Sequence, residues 1–260
     1  ILQRAKQMIN EETRRKLNEL NLSELISYLE MQHIEAHSNS LTFDERLQMM
    51  IDYLYQEKFV AKFHRLLKSA RLRIPSADIA DVLFAPRGVD KQMVLELATC
   101  QYIKTNTNII LQGFTGSGKT YLGCVLGKQA CKMQFRTRYI RMPDLLMEYD
   151  ESTLITGGPH KLLKKYSGIP LLIIDEWLMD EISDSEQHFL FELIERRYDS
   201  GSTIFCTQFR KEDWHNKLGG GVHADAIMDR IIHNAVFIET GIINMREIAS
   251  GKKTLDSTGL

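Results

Sequence analysis

Apolar residues recur along the first 73 positions at the spacing of helix turns: Leu17 and Leu20, then Leu22, Leu25, Ile26 and Leu29, then Leu47, Met50, Ile51 and Leu54. Spacings of three and four residues place such side chains on one helix face. No glycine or proline interrupts this stretch, and Thr42 stands three residues before Glu45, the signature of a capping box. The pattern predicts a small all-helical domain over 1–73, with a helix opening at Thr42. Pro75, Pro86 and Gly88 then break the periodicity, so 74–88 is expected to be a linker.

Beyond the linker the period changes. Short apolar runs at 108–112, 137–141, 170–174, 202–206 and 235–239 predict strands, and helical patterns at 119–133, 142–150, 183–199 and 222–233 lie between them. This alternation predicts an α/β domain over 89–248, with a parallel five-stranded sheet flanked by helices. The run Ile169–Ile174 contains no polar residue, as a central strand requires. Gly157-Gly158-Pro159 and Gly219–Gly221 are expected to form mobile surface loops, and 249–260 a flexible tail.

Charge and cysteine content narrow the class. Among 260 residues, 33 Lys and Arg face 34 Asp and Glu, a net charge of −1 that excludes a uniformly basic nucleic-acid coat but leaves room for a local patch. No apolar run approaches the roughly 18 residues of a membrane span, and no leader pattern is visible, so no membrane contact is expected. Cys100, Cys124, Cys131 and Cys206 have no metal-site spacing and read as reduced, packed thiols of a cytoplasmic protein. His33 and His37 lack a third ligand and read as surface residues. Trp214 and His215 are expected to pack beside the strand at 202–206.

The stretch Gly113-Phe114-Thr115-Gly116-Ser117-Gly118-Lys119-Thr120 fits G-x-x-x-x-G-K-[ST] at every fixed position, after one strand and before a helix. Its glycines let backbone N–H groups converge on a phosphate, and the helix N-terminus adds positive potential. Lys119 can reach the β- and γ-phosphates, and the Thr120 hydroxyl can ligate Mg²⁺. The apolar strand Leu171–Ile174 ends in Asp175 and Glu176, at the edge where parallel sheets bind ligands. Asp175 is expected to hold Mg²⁺ through water, and Glu176 to deprotonate the attacking water. A switch GTPase positions water with glutamine, and Asn216-Lys217 is followed by Leu218-Gly219, not by a guanine-reading Asp. The nucleotide expected is therefore ATP.

Three further groups are candidates for completing this site. Thr207-Gln208 ends the 202–206 strand and reads either as a γ-phosphate contact or as turn chemistry. Arg230 reads either as a salt bridge or as a finger offered to a neighbour's nucleotide, and Arg246 as a group returning to the phosphates. Lys62, Arg65, Lys68, Arg71 and Arg73 lie between Val60 and Pro75 with no acid among them. They read either as a solvated basic face or as a salt-sensitive DNA contact.

GFTGSGKT, LLIIDE, the strand-end TQ and ADAIMDRIIHNA, in this order, resemble the AAA+ ATPases. More narrowly, with PRGVDKQMVLELAT (86–99), DWH (213–215) and Met245-Arg246, the chain resembles the IstB-type helper ATPases of transposition, relatives of the DnaC helicase loaders. The resemblance spans roughly residues 40–248. Where family members often carry P-P-G-T and a His after the loop threonine, this chain has Phe114-Thr115-Gly116-Ser117 and Tyr121. The resemblance implies a P-loop domain of AAA+ type in which Thr207 or Gln208 is sensor 1, Arg230 a trans-acting finger and Arg246 sensor 2. It implies a DNA-dependent ATPase that forms a homo-oligomer on double-stranded DNA and recruits or regulates a transposase. A loader of a replicative helicase, and an adaptor that binds ATP without hydrolysing it, are the alternatives.

Overall fold

The computed structural model describes residues 9–34, 41–84, 88–241 and 243–245. The chain divides into two compact units, Ile1–Arg65 and Leu66–Leu260. The division falls inside a helix, ahead of the residue-73 boundary that the loss of helical periodicity suggests. Leu66, Ala70 and Leu72 are buried, which places this stretch with the second unit.

The first unit contains α1 (Glu11–Glu19), α2 (Ser23–Ile34) and most of α3 (Phe43–Ala70). Asn10 caps α1 by accepting from the Thr13 amide at 2.7 Å. The capping box at the start of α3 is formed. The Thr42 amide donates to Glu45 Oε2 at 2.8 Å, and the Glu45 amide to Thr42 Oγ1 at 3.3 Å. Within this unit Tyr28 packs on Tyr53, with ring centroids 4.9 Å apart.

The second unit is an α/β layer structure. After a short 3-10 turn (Ile79–Asp81) come α4 (Lys91–Leu97) and α5 (Gln101–Lys104). The repeating part follows: β1 (Asn108–Gln112), α6 (Lys119–Lys132), β2 (Thr137–Arg141), α7 (Met142–Thr153), α8 (Gly158–Ser167) and β3 (Leu171–Asp175). It continues with α9 (Asp184–Arg197), β4 (Ser202–Thr207), α10 (Lys211–Lys217), α11 (Gly221–Ile232) and β5 (Ala235–Glu239). The five strands are all parallel, in the order β2-β3-β4-β1-β5. Strands β3 and β4 are buried along their whole length, as the unbroken apolar run of β3 requires.

Strand alternation divides the core between the two faces. Ile110, Leu172, Ile174 and Phe205 face a cluster built with α7, α8, α9 and α11, at whose centre Trp177 and Trp214 lie 5.8 Å apart. Ile173 and Cys206 face α6, which lies close to the sheet because Gly123 and Gly127 carry no side chains: a Cβ on Gly127 would stand 2.7 Å from Ile173. All four cysteines are buried and free, and burial pushes the Cys100 and Cys124 thiols up to about 11.

The loop expected at Gly157–Pro159 is instead a helix start, while Gly219 and Gly220 form the turn ahead of the helix expected at 222–233. Gly157, in the left-handed region at φ 71°, precedes α8, and Pro159 sits in its first turn. Gly220 likewise precedes α11. Glycine and proline interrupt a helix interior, but both suit a helix N-terminus, where the first N–H groups have no intrahelical partner.

Candidate functional site

The site forms where strand order brings together segments distant in sequence. Strand β4 lies between β1 and β3, so the loop after β1 and the acids ending β3 flank the carboxyl end of β4. Such an edge is where parallel sheets bind ligands. A cleft of about 770 Å³ opens there, lined by the phosphate loop, Asp175, Glu176, Gln208, the 73–83 segment and Met245. That volume lies in the range of small-molecule sites.

Gly113, Gly116 and Gly118 all have positive φ. A Cβ on Gly113 would meet the hydroxyls of Thr240 and Ser117, and one on Gly116 the side chain of Asn244. The loop is held from outside. Ser117 and Thr240 hydroxyls are 2.6 Å apart, the Met245 amide donates to the Gly116 carbonyl at 2.9 Å, and Thr115 Oγ1 donates to Gln208 Oε1 at 3.1 Å. Lys119 Nζ lies inside the loop, donating to the Gly113 and Phe114 carbonyls at 2.7 and 2.9 Å. Phe114 is exposed.

Thr120, in the first turn of α6, donates to Asp175 Oδ2 at 2.7 Å, and the Tyr139 hydroxyl donates to the same oxygen at 2.7 Å. Burial, foremost, and the Asp175 charge push the Tyr139 phenol up, so it stays a donor. Asp175 Oδ1 accepts the Glu176 amide at 2.9 Å. Glu176 adopts the left-handed region at φ 57°, turning the chain out of β3. Its Oε1 pairs with Arg73 Nη1 at 3.1 Å and its Oε2 with Arg141 Nη1 at 3.5 Å. Thr120 and Asp175 offer the hard oxygen donors that Mg²⁺ prefers. No group of three or more ligating side chains occurs among the described residues, and a Mg²⁺ sharing nucleotide phosphates needs only one or two carboxylates.

The two residues of the strand-end pair are used differently. Thr207 is buried, and its hydroxyl donates to the Trp177 carbonyl at 3.1 Å while accepting the Phe209 amide at 3.1 Å. Gln208 lines the cleft. Arg230 lies away from the cleft of its own chain: it pairs with Glu195, donates to the Ala226 carbonyl at 3.0 Å and stacks over Phe191. Arg246 lies outside the described residues, as does His37. Trp214 packs against Phe205 of β4, and His215 Nε2 is 3.4 Å from Asp225.

Of the five basic residues, Lys62, Arg65 and Lys68 are exposed on α3, and Arg71 is exposed just beyond it. Arg73 leaves this series and reaches the acid pair. Sequence reasoning also passed over Tyr139, Arg141 and Asp78. Arg141 had a visible signal: it ends β2 as Asp175 ends β3, and the two are register partners. Asp78 had none. It ties the 73–83 segment to α6 through Lys128 Nζ at 3.1 Å, and its backbone N–H and C=O both bond the Tyr121 hydroxyl. The Lys128 ammonium, chiefly, lowers the Asp78 carboxyl to about 2.

A phosphate loop opening α6, acids ending β3 and a 2-3-4-1-5 parallel sheet define a P-loop ATP-binding domain of the AAA+ type. Residues 15–252 match the family described as IstB-like ATP binding protein, and the chain belongs to that family. It is similar to an insertion sequence ATP-binding protein of Sinorhizobium fredii, 30% identical over 93% of this chain and 97% of that protein. It is also similar to the insertion sequence IS1162 ATP-binding protein of Pseudomonas fluorescens, 34% identical over 77% of this chain and 87% of that one. In fold it is similar to the DnaC helicase loader, with TM-score 0.53 and 18% identity over 63% of this chain and 96% of that chain. AMPPCP-bound DnaA from Aquifex aeolicus gives TM-score 0.56 and 19% identity over 73% and 57%.

Proposed function

We propose that the protein is a Mg²⁺-dependent ATPase that assembles on double-stranded DNA and recruits or regulates a transposase. The observation that carries the catalytic part is the meeting of Thr120, Asp175 and Glu176 at the mouth of the phosphate-loop cleft. Thr120 and Asp175 would hold Mg²⁺, which would supply charge neutralisation for the phosphates. The loop N–H groups and Lys119 orient the β- and γ-phosphates. Glu176 accepts the proton of the attacking water, a contribution of roughly 10²–10⁴ in rate. Gln208 hydrogen-bonds the γ-phosphate or that water.

Arg230, which pairs with Glu195 and does not line its own cleft, serves a neighbouring subunit, which makes nucleotide binding and homo-oligomer formation interdependent. Lys62, Arg65, Lys68 and Arg71 contact DNA phosphates. The insertion-sequence relatives support the choice of a transposase as the partner.

ATP turnover of the full chain, with duplex or single-stranded DNA at two salt concentrations and Lys119→Ala as the blank, tests this reading. Duplex-stimulated, salt-sensitive turnover is expected. Stimulation by single strands alone points to helicase loading, and ATP binding without turnover on any DNA points to a gated adaptor.

A further inference from the structure

The segment after α3 does more than join two elements. It leaves the basic helix at Ala70 and reaches the catalytic acids within three residues, at Arg73. It then lines the cleft with Ile74, Val82 and Leu83, and is pinned to α6 by Asp78. One strap therefore runs from the last turn of α3, which carries Lys68, past Glu176, along the nucleotide cleft.

Arg73 Nη1 stands 3.1 Å from Glu176 Oε1 and 4.0 Å from Asp175 Oδ2. With Arg141 at the other Glu176 oxygen, both carboxylate oxygens already face guanidinium donors. Arg141 is chiefly engaged elsewhere, in a bidentate pair with Asp144 at 2.6 and 2.8 Å. Arg73 is thus the closer restraint on Glu176, and it holds positive charge beside the carboxylates that a divalent cation would use.

We propose that Arg73 is a positioning residue that restrains Glu176 and competes with Mg²⁺ for the acid pair, and that displacement of the strap, driven by DNA on the α3 basic face, releases it. This rests on the reading of Glu176 as the general base. DNA dependence then arises within one chain: the strap carrying the restraint continues directly from the helix that meets DNA phosphates.

Arg73→Gln in the full chain tests the proposal. The variant is expected to raise DNA-free turnover roughly two- to fivefold at unchanged KM, the size set by a half-exposed ion pair. It should shrink the stimulation by DNA and lower, by a similar factor, the Mg²⁺ concentration that half-saturates mant-ATP binding. Arg73→Lys retains the cation and should stay nearer the parent protein. DNA-free turnover that is unchanged or reduced, an unmoved Mg²⁺ midpoint, or a Lys variant indistinguishable from Gln would each overturn it. The Mg²⁺ midpoint needs no turnover, so it tests Arg73 by itself. Full turnover in Glu176→Gln would instead remove the base assignment. A thermal midpoint equal to the parent's shows that the folded state is intact.

Discussion

The Thr120 hydroxyl and the Asp175 carboxylate, 55 positions apart in the chain, meet at 2.7 Å. Asp175 is almost fully buried, and its Oδ2 also accepts the Tyr139 hydroxyl. Two neutral donors on one carboxylate oxygen hold it in place, and the Arg73 guanidinium stands 4.0 Å from that oxygen.

Asp175→Asn removes the carboxylate charge and leaves the Thr120 and Tyr139 hydroxyls facing a neutral amide. Hydrogen bonds to a charged group contribute about 1.5–3 kcal/mol. Mg²⁺-dependent ATP affinity should therefore fall by roughly ten- to a hundredfold. Titration with mant-ATP measures this. Chelating Mg²⁺ should bring the parent protein down to the variant's level, and a variant that still responds to Mg²⁺ like the parent contradicts the assignment.

Gly116→Ala forces a side chain into φ 90° and against Asn244. Strain of this kind costs on the order of 1–3 kcal/mol. It falls on the loop alone, so ATP affinity should drop by about ten- to a hundredfold, with far-UV circular dichroism unchanged. Loss of affinity accompanied by loss of helix signal would show that the substitution acts on the whole fold.

The Asp78–Lys128 pair gives a pH dependence of definite sign. Its carboxyl is lowered from 3.8 to about 2 in the folded chain. A depressed carboxyl contributes stability above its unfolded value, and that contribution is lost as pH falls through the folded value. Parent and Asp78→Asn proteins should thus converge in thermal midpoint between about pH 4 and pH 2, the parent being the more stable above that window. Thermal melts across the range measure the gap, and a gap that widens toward acid contradicts the sign.

Arg197 is buried at the opposite edge of the sheet and has no acid partner among the described residues. Its guanidinium donates to the carbonyls of Tyr166 and Ile169 at 2.9 and 2.7 Å, to the Ser202 carbonyl, and to Thr203 Oγ1 at 2.9 Å. Arg197→Met strands these carbonyls in a dry site, at a cost of roughly 3 kcal/mol or more. Urea unfolding should show a lower midpoint, whereas ATP affinity in the folded protein should hold. A midpoint equal to the parent's would mean that water satisfies the carbonyls.

Much of this protein is determined locally and can be read from the sequence. The strands at 108–112, 137–141 and 235–239 match the observed limits, and in β1 the apolar run Ile109–Leu111 is the buried part of the strand. The capping box at Thr42 and Glu45 is local chemistry within one helix turn, and it is present. The phosphate loop is contiguous for a physical reason: its N–H groups must converge within eight residues. Helix α8 is hidden in the sequence because glycine and proline carry opposite meanings in a helix interior and at its first turn, whereas α11 is legible at 222–233 from its apolar spacing.

Only the tertiary structure decided which distant residues share the cleft. The order β2-β3-β4-β1-β5 sets Arg141 beside Asp175, and the same fold places Gln208, not Thr207, at the cleft. It also separates Arg73 from the basic series it belongs to in sequence and places it on Glu176. A side chain's type and spacing fix which partners it can take. Which partner it meets depends on long-range strand pairing and on where the chain turns after α3, and a one-dimensional pattern carries neither.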